Sequence, residues 1–262
     1  CGEGTQRQFK IAGISLAKVT KILISHWHGD HVLGLPGLMQ TLSSTNYTGR
    51  LEIYGPIGTK KRMERMFEAF VFDKKLDFAV IEVKSGIFFE NEDFQLEAHQ
   101  LEHGIETLGY SFIEKDKRKV DTKKARKLGI PEGPLIGKLQ QNKSIEHNGK
   151  KIIPDDVTYA EKGKKIAYIT DTVLCDACFK IAEDADLLIC EATYSSKLVD
   201  KSEEHGHMTA KQSAQIANNA NVKQLVLIHF SARYKNTQEL EEDARDLFDN
   251  VICAKDFMKI DL

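Results

Sequence analysis

Residues 25–31 read Ser25-His26-Trp27-His28-Gly29-Asp30-His31, directly after the apolar run that starts at Lys21. Three imidazoles and a carboxylate packed this densely do not suit an ordinary core, because every buried polar group needs a partner. A divalent metal supplies that partner, and imidazole nitrogen with carboxylate oxygen is a donor set that suits zinc. The spacing also makes mechanical sense. His26 and His28 are two apart, so on extended backbone they project to one side. Asp30 and His31 lie past the Gly29 bend and point elsewhere. That geometry suits two metals sharing one loop better than one metal.

Outward from this motif, apolar runs alternate with amphipathic stretches, the pattern of an α/β layered domain. Strands are expected at Lys21–Ser25, Leu51–Tyr54, Ala79–Val83, Phe94–Leu101, Leu108–Ile113, Lys165–Thr170, Leu187–Cys190, Gln224–His229 and Val251–Ala254. Helices are expected at His31–Leu42, Thr59–Phe70, Val173–Ala182, Ala210–Ala220 and Thr237–Phe248. Thr209 with Gln212 reads as a capping box, and Asn236 with Glu239 as an Asn-led variant of one.

Lys115–Lys151 differs from the rest. It carries twelve Lys/Arg against four Asp/Glu and the turn-rich run Gly129-Ile-Pro-Glu-Gly-Pro-Leu-Ile-Gly137. With one short helix expected at Thr122–Leu128 and little apolar periodicity, it reads as a flexible, protruding arm inserted in a single domain spanning residues 1–262. A solvated charged loop is the plainer alternative.

Bulk properties exclude several classes. The net charge of −2 gives no global sign of a nucleic-acid partner, so any basic surface must be local. No apolar run reaches the length of a membrane span, and no signal peptide is visible. Five cysteines, an odd number, fit a reducing cytoplasm and not a disulfide framework. Cys175-Asp-Ala-Cys178 has redox or metal spacing, but it stands without a second pair and reads first as structural.

His-x-His-x-Asp-His after a strand resembles the signature of the metallo-β-lactamase superfamily. The resemblance implies an αββα sandwich with metals at one edge, His26 and His28 on one zinc, and Asp30 and His31 on the other. His103, Asp171 and His229 each sit where an apolar strand leaves the sheet, the place where open α/β sheets put their sites. They would complete two shells: His26, His28, His103 and bridging Asp171, then Asp30, His31, His229 and Asp171. Manganese or iron could fill the same shells.

Four segments narrow the resemblance to the ribonuclease Z family. They are Cys1-Gly-Glu-Gly-Thr-Gln-Arg-Gln8, His103-Gly-Ile-Glu-Thr-Leu-Gly-Tyr110, Glu191-Ala-Thr193 with His207-Met-Thr209, and Leu227-Ile-His-Phe-Ser-Ala-Arg-Tyr234. The turn at Gly133, Pro134, Gly137 and Lys138 resembles that of the family's arm, which grips tRNA. The resemblance implies a dinuclear-zinc endonuclease that removes the 3′ trailer of pre-tRNA, working as a homodimer. It also implies that the family's domain begins about two to three strands before Cys1. Asp30 would bind metal and accept a proton, His207 would protonate the leaving oxygen, and Glu191 would orient His207. Two other readings stay open from sequence: a general phosphodiesterase or sulfatase on the same fold, and a non-catalytic tRNA-binding subunit.

Overall fold

Short strands rich in Ile, Leu and Val carry the chain toward the His-rich motif, and helices with apolar stripes cover them. The computed structural model describes residues 1–45, 47–71 and 75–262. Its first part comprises α1 (Thr5–Ile11), β1 (Lys21–Leu23), α2 (Gly29–Val32), α3 (Gly34–Ser44), β2 (Leu51–Gly55), α4 (Thr59–Ala69) and β3 (Phe78–Glu82). β1, β2 and β3 form a parallel three-stranded sheet with Leu23 opposite Tyr54 and Tyr54 opposite Ile81. One face of α3 presents Leu35, Leu38, Met39 and Leu42 at helical spacing, and these bury against Leu51, Ile53 and Met63.

The chain continues through β4 (Gly86–Glu90), β5 (Phe94–Glu102) and β6 (Glu106–Glu114). It then builds β7 (Lys117–Val120), α5 (Thr122–Lys127), α6 (Pro134–Gln140), β8 (Ile145–His147), β9 (Lys150–Ile152), α7 (Pro154–Val157) and β10 (Thr158–Glu161). The last part alternates strand and helix: β11 (Lys165–Ile169), α8 (Asp176–Ala182), β12 (Leu187–Glu191), α9 (Val199–Glu204), α10 (Ala210–Asn219), β13 (Leu225–Ile228), α11 (Gln238–Arg245) and β14 (Val251–Cys253).

A seven-stranded sheet runs β14-β13-β12-β11-β6-β5-β4. β11 to β14 are parallel, so β11, β12 and β13 all end at one edge, with Ile169 opposite Cys190 and Glu191 opposite Ile228. Between the two sheets lie Tyr54, Val83, Ala98, Leu108 and Tyr110. On the outer face of the large sheet, Ile181, Ala214, Ala217, Leu240 and Ala244 from α8, α10 and α11 cover Ala167, Ile169, Leu188, Cys190, Leu225 and Leu227. The layers are therefore helix, sheet, sheet and helix, the αββα sandwich of the metallo-β-lactamase fold. Among the described residues no helix is long and apolar enough to cross a membrane.

The chain divides into two compact units, one of Cys1–Glu90, Leu96–Phe112 and Lys165–Leu262, the other of Asn91–Gln95 and Ile113–Lys164. The second unit contains all of residues 115–151. It has more order than the expected excursion. Ile130, Leu139, Ile145, Ile152 and Val157 form a core of its own, and β7 pairs with β10 while β8 pairs with β9. Sequence periodicity did not show this core because its apolar residues come singly from four short elements and the loop after α5.

Two helix boundaries and one cap depart most from the sequence reading. The helix expected over His31–Leu42 is two helices meeting at Leu33. Pro36 has no amide hydrogen to continue the ladder, and the Gly34 amide donates instead to the Cys1 carbonyl at 3.0 Å. The helix expected from Val173 starts at Asp176, because Cys175 is extended at φ −141° and ψ 166°. Thr209 and Gln212 do form the reciprocal capping box. Asn236 and Glu239 do not: Asn236 Oδ1 takes the Gln238 amide at 3.1 Å, and Glu239 accepts the Ser195 hydroxyl.

Candidate metal centre

The loop after β1 is fixed from both sides before any of its ligands is considered. The Leu108 amide on β6 donates to the Ser25 carbonyl at 2.9 Å, and the Tyr110 hydroxyl donates to the Ile24 carbonyl at 2.7 Å. The Trp27 indole N–H donates to Thr59 Oγ1 at 2.9 Å. Trp27 thus ties the segment between His26 and His28 to the start of α4.

Asp171 is the focus of the site. Its Oδ2 lies 3.3 Å from His31 Nε2, 3.6 Å from His26 Nε2 and 3.6 Å from His103 Nε2, and its Oδ1 lies 3.4 Å from His229 Nε2. His28 Nδ1 faces His103 Nε2 at 3.2 Å. Asp30 Oδ2 is 3.3 Å from His31 Nε2 and 3.8 Å from His229 Nε2. All seven sequence-predicted ligands therefore come together. Their donor atoms form two clusters: His26, His28, His103 and Asp171, then Asp30, His31 and His229. A third grouping places His207 with Asp171 and His229. His205, two residues away, belongs to none of these and lies instead against the Tyr194 ring.

The donor set fits metal ions. His26 Nε2 and His31 Nε2 are buried and have no hydrogen-bond partner, an arrangement that costs about 1–3 kcal/mol per group unless something binds it. At His103 and His229 the other ring nitrogen is occupied in a way that turns Nε2 inward. His103 Nδ1–H donates to the Gly206 carbonyl at 2.7 Å. His229 Nδ1–H donates to Thr193 Oγ1 at 2.9 Å, and that hydroxyl passes its own proton to Glu191 Oε2 at 2.6 Å. Such outer hydrogen bonds fix the tautomer and orientation of a metal-binding imidazole.

Electrostatics agree with the geometry. Burial pushes His26 down to about 3, with the neighbouring His31 adding to the effect. His103 is also lowered, chiefly by burial. Both are thus neutral near pH 7, the form that donates a lone pair. Burial works to raise the Asp171 carboxyl, but the adjacent His31 ring, the charge of His229 and the hydrogen bond from the Thr170 hydroxyl hold it well below the usual carboxylate range.

The backbone at two of the clustered residues is unusual. Asp171 has φ 34° and His229 has φ 59°, both in the left-handed region that non-glycine residues seldom occupy. Each follows within two residues of a parallel strand's end, and each left-handed residue turns its side chain back toward the His-rich loop. Strain of this kind concentrates at functional sites.

Beside the cluster, Glu191 is fully buried and fully satisfied. Its Oε1 accepts the Thr172 amide at 2.7 Å and lies 3.2 Å from His207 Nδ1. Burial pulls His207 down, but the hydrogen bond and charge of Glu191 outweigh it and the imidazole is raised. Gly133, Pro134, Gly137 and Lys138 lie in the second unit, at the N-terminus and along α6. Sequence reasoning missed Thr170, Thr172, Thr193 and Gly206. The threonines resemble ordinary strand-end residues, and only the adjacency of Gly206 to His205 and His207 offered a signal.

Two facing sheets between helices, with His and Asp donors gathered where strands end, define a protein of the metallo-β-lactamase class. Residues 1–115 match the metallo-beta-lactamase superfamily, and residues 156–230 match the beta-lactamase superfamily domain. The chain belongs to the ribonuclease Z family. It is 39% identical to the ribonuclease Z of Methanothermobacter thermautotrophicus over 100% of this chain and 86% of that protein. It is 40% identical to that of Archaeoglobus fulgidus over 100% of this chain and 87% of the relative. The crystal structure of human tRNase Z, short form, superposes with a TM-score of 0.69 at 30% identity, covering 98% of this chain and 85% of that one.

Proposed function

We propose that this protein is a tRNA 3′-processing endonuclease that cuts the 3′ trailer from pre-tRNA, leaving a 3′-hydroxyl on the tRNA and a 5′-phosphate on the trailer. The observation that carries the reading is the convergence of His26, His28, His31, His103 and His229 on Asp171, with Asp30 and His207 at the rim.

His26, His28, His103 and Asp171 would hold one zinc, and Asp30, His31 and His229 would hold a second, with Asp171 shared. Such a pair supplies Lewis-acid charge against a phosphoryl oxygen and a water-derived nucleophile at neutral pH, and manganese or iron would serve the same donors. The chain's own residues do the rest. The Asp30 side chain is 69% exposed, so its carboxylate can reach solvent and accept a proton from the attacking water. His207, raised by Glu191, carries a proton for the departing ribose oxygen. Glu191 holds the Nδ1 side of that ring, which leaves Nε2 for the substrate.

The second unit is suited to the tRNA body. Lys123, Lys124, Arg126 and Lys127 on α5, with Lys138, Lys150 and Lys151, are exposed and in no ion pair among the described residues. Lys117, Arg118 and Lys119 are neutralised by Asp93 and Glu114, Asp155 and Glu161 respectively. Free cations grouped this way bind a phosphate backbone by counterion release, reading shape more than base sequence. Gly133, Pro134, Gly137 and Lys138 would contribute the turn that meets the substrate. The reading extends to a cytoplasmic homodimer, supported by the family resemblance and by five free cysteines.

The test is to map the cut on a 3′-extended pre-tRNA and compare it with a small chromogenic phosphodiester. Deleting residues 118–150 should weaken pre-tRNA cleavage and spare the small ester. Equal loss on both would remove the role of the second unit, and no cleavage by metal-loaded protein would remove the function.

A further inference from the structure

Cys175 and Cys178 are not used by the chemistry described so far, yet they are built as a reactive pair. Their sulfurs lie 3.6 Å apart, against about 2.05 Å in a disulfide, so closure needs a movement of about 1.5 Å. Cys175 is half-buried and reachable, while Cys178 is wholly buried beneath it. Cys190 and Cys253 are buried in the core.

The two thiols also differ in chemistry. A hydrogen bond from the Cys178 thiol, with backbone amides of Cys178 and Ala177, brings Cys175 down to about 6. The same partnership and burial push Cys178 up. An accessible thiolate over a buried, protonated thiol is the arrangement of an attacking and a resolving cysteine.

The pair is wired to the metal centre through Thr172. Thr172 Oγ1 contacts Cys175 Sγ at 4.0 Å and accepts the Glu102 amide at 3.1 Å, and the Thr172 amide donates to Glu191. Thr172 therefore joins four things: Asp171 before it, His103 through Glu102, the Glu191–His207 pair, and Cys175.

We propose that Cys175 and Cys178 are a thiol–disulfide exchange site for low-molecular-weight disulfides, and that its closure loosens the Thr172 contacts and lowers activity at the adjacent centre. In the first step the Cys175 thiolate attacks one sulfur of the disulfide, forming a mixed disulfide and expelling one thiolate. In the second, Cys178 gives up its proton and attacks Cys175 Sγ, expelling the other thiolate from the small molecule. The protein loses two electrons and two protons, and the disulfide becomes two thiols. The exchange is independent of the metal-centre reading; its effect on turnover rests on that reading.

The experiment incubates the full metal-loaded chain in glutathione buffers of increasing oxidised fraction, followed by intact mass and peptide mapping. The expected wild-type product is two hydrogens lighter with a Cys175–Cys178 link and no adduct. Cys178→Ser should trap glutathione on Cys175, and Cys175→Ser should leave Cys178 free. Turnover on a small phosphodiester should fall about ten-fold or more in the linked form, the size of effect typical of supporting contacts around a metal, and return with dithiothreitol. Glutathione on Cys1 or Cys253 with residues 175 and 178 still free would overturn the exchange site. A complete link with turnover and metal content unchanged would overturn the coupling.

Discussion

His207 and Glu191 meet across 3.2 Å, with the carboxylate fully buried and the imidazole at the edge of the metal cluster. Glu191 reaches the cluster by two routes, directly to His207 and through Thr193 to His229. One buried charge therefore holds both the His207 ring and, through Thr193, the His229 ring.

Replacing Glu191 by Gln removes the interaction that raises His207. The sign follows from the direction of the shift. A raised histidine keeps its proton to higher pH, so activity that needs the protonated ring falls as pH rises through its titration. In Glu191→Gln that falling limb should move to lower pH. His207→Ala should cost about 10²–10⁴ in turnover, the range for loss of a general acid, with metal content intact. Both are checked by turnover against pH on a pre-tRNA substrate. An unshifted limb in Glu191→Gln would sink the pairing, and wild-type turnover in His207→Ala would sink the proton-donor role.

Gly206 should not tolerate a side chain. Its φ is +71°, and a Cβ there would stand 2.9 Å from His103 Nδ1, the atom that donates to the Gly206 carbonyl. Gly206→Ala is expected to displace His103 and weaken metal binding about 10–100-fold, as loss of a ligand's supporting hydrogen bond does, while the bulk of the fold survives. Metal titration with circular dichroism as the control measures this. Unchanged affinity would show that the His103–Gly206 contact does not position the ligand.

The cluster itself was unusually legible in the sequence, and the reasons are physical. Four of the seven donors fall in one motif after a strand, and the other three terminate strands with strong apolar patterns. β11 and β13, carried parallel through β12 to one edge, bring Asp171 and His229 together without further information. What could not be read were contacts that depend on three-dimensional closure. The left-handed backbones of Asp171 and His229 carry no glycine to announce them. Thr193 relays between Glu191 and His229 across 36 residues of chain. The second unit's core was hidden because five apolar residues scattered over four short elements and a loop make no periodic stripe.

Stability of the metal-free protein should depend on pH through the buried imidazoles. His26 is lowered from 6.5 to about 3 by burial, and His103 is lowered in the same direction. Between these pH values the unfolded chain binds the proton and the folded chain does not, so unfolding is favoured as pH falls from about 6.5 toward 3. Urea midpoints of chelator-treated protein should drop across that window. His26→Asn should flatten the slope. An equally steep slope in that variant would show that His26 is not the group responsible.

The second unit offers a separate prediction, because its core is small. Leu139 is fully buried among Ile130, Ile145, Ile152 and Val157. Truncating a buried leucine costs about 2–5 kcal/mol, a large fraction of what so few apolar side chains can supply. Leu139→Ala should therefore unfold this unit while the sandwich, with its own three apolar clusters, stays folded. The expected signature is selective amide exchange within residues 113–164. Pre-tRNA cleavage should fall with it, and turnover of a small phosphodiester should persist. Uniform exchange over the whole chain, or parallel loss on both substrates, would show that the two units do not fold independently and that the second does more than hold tRNA.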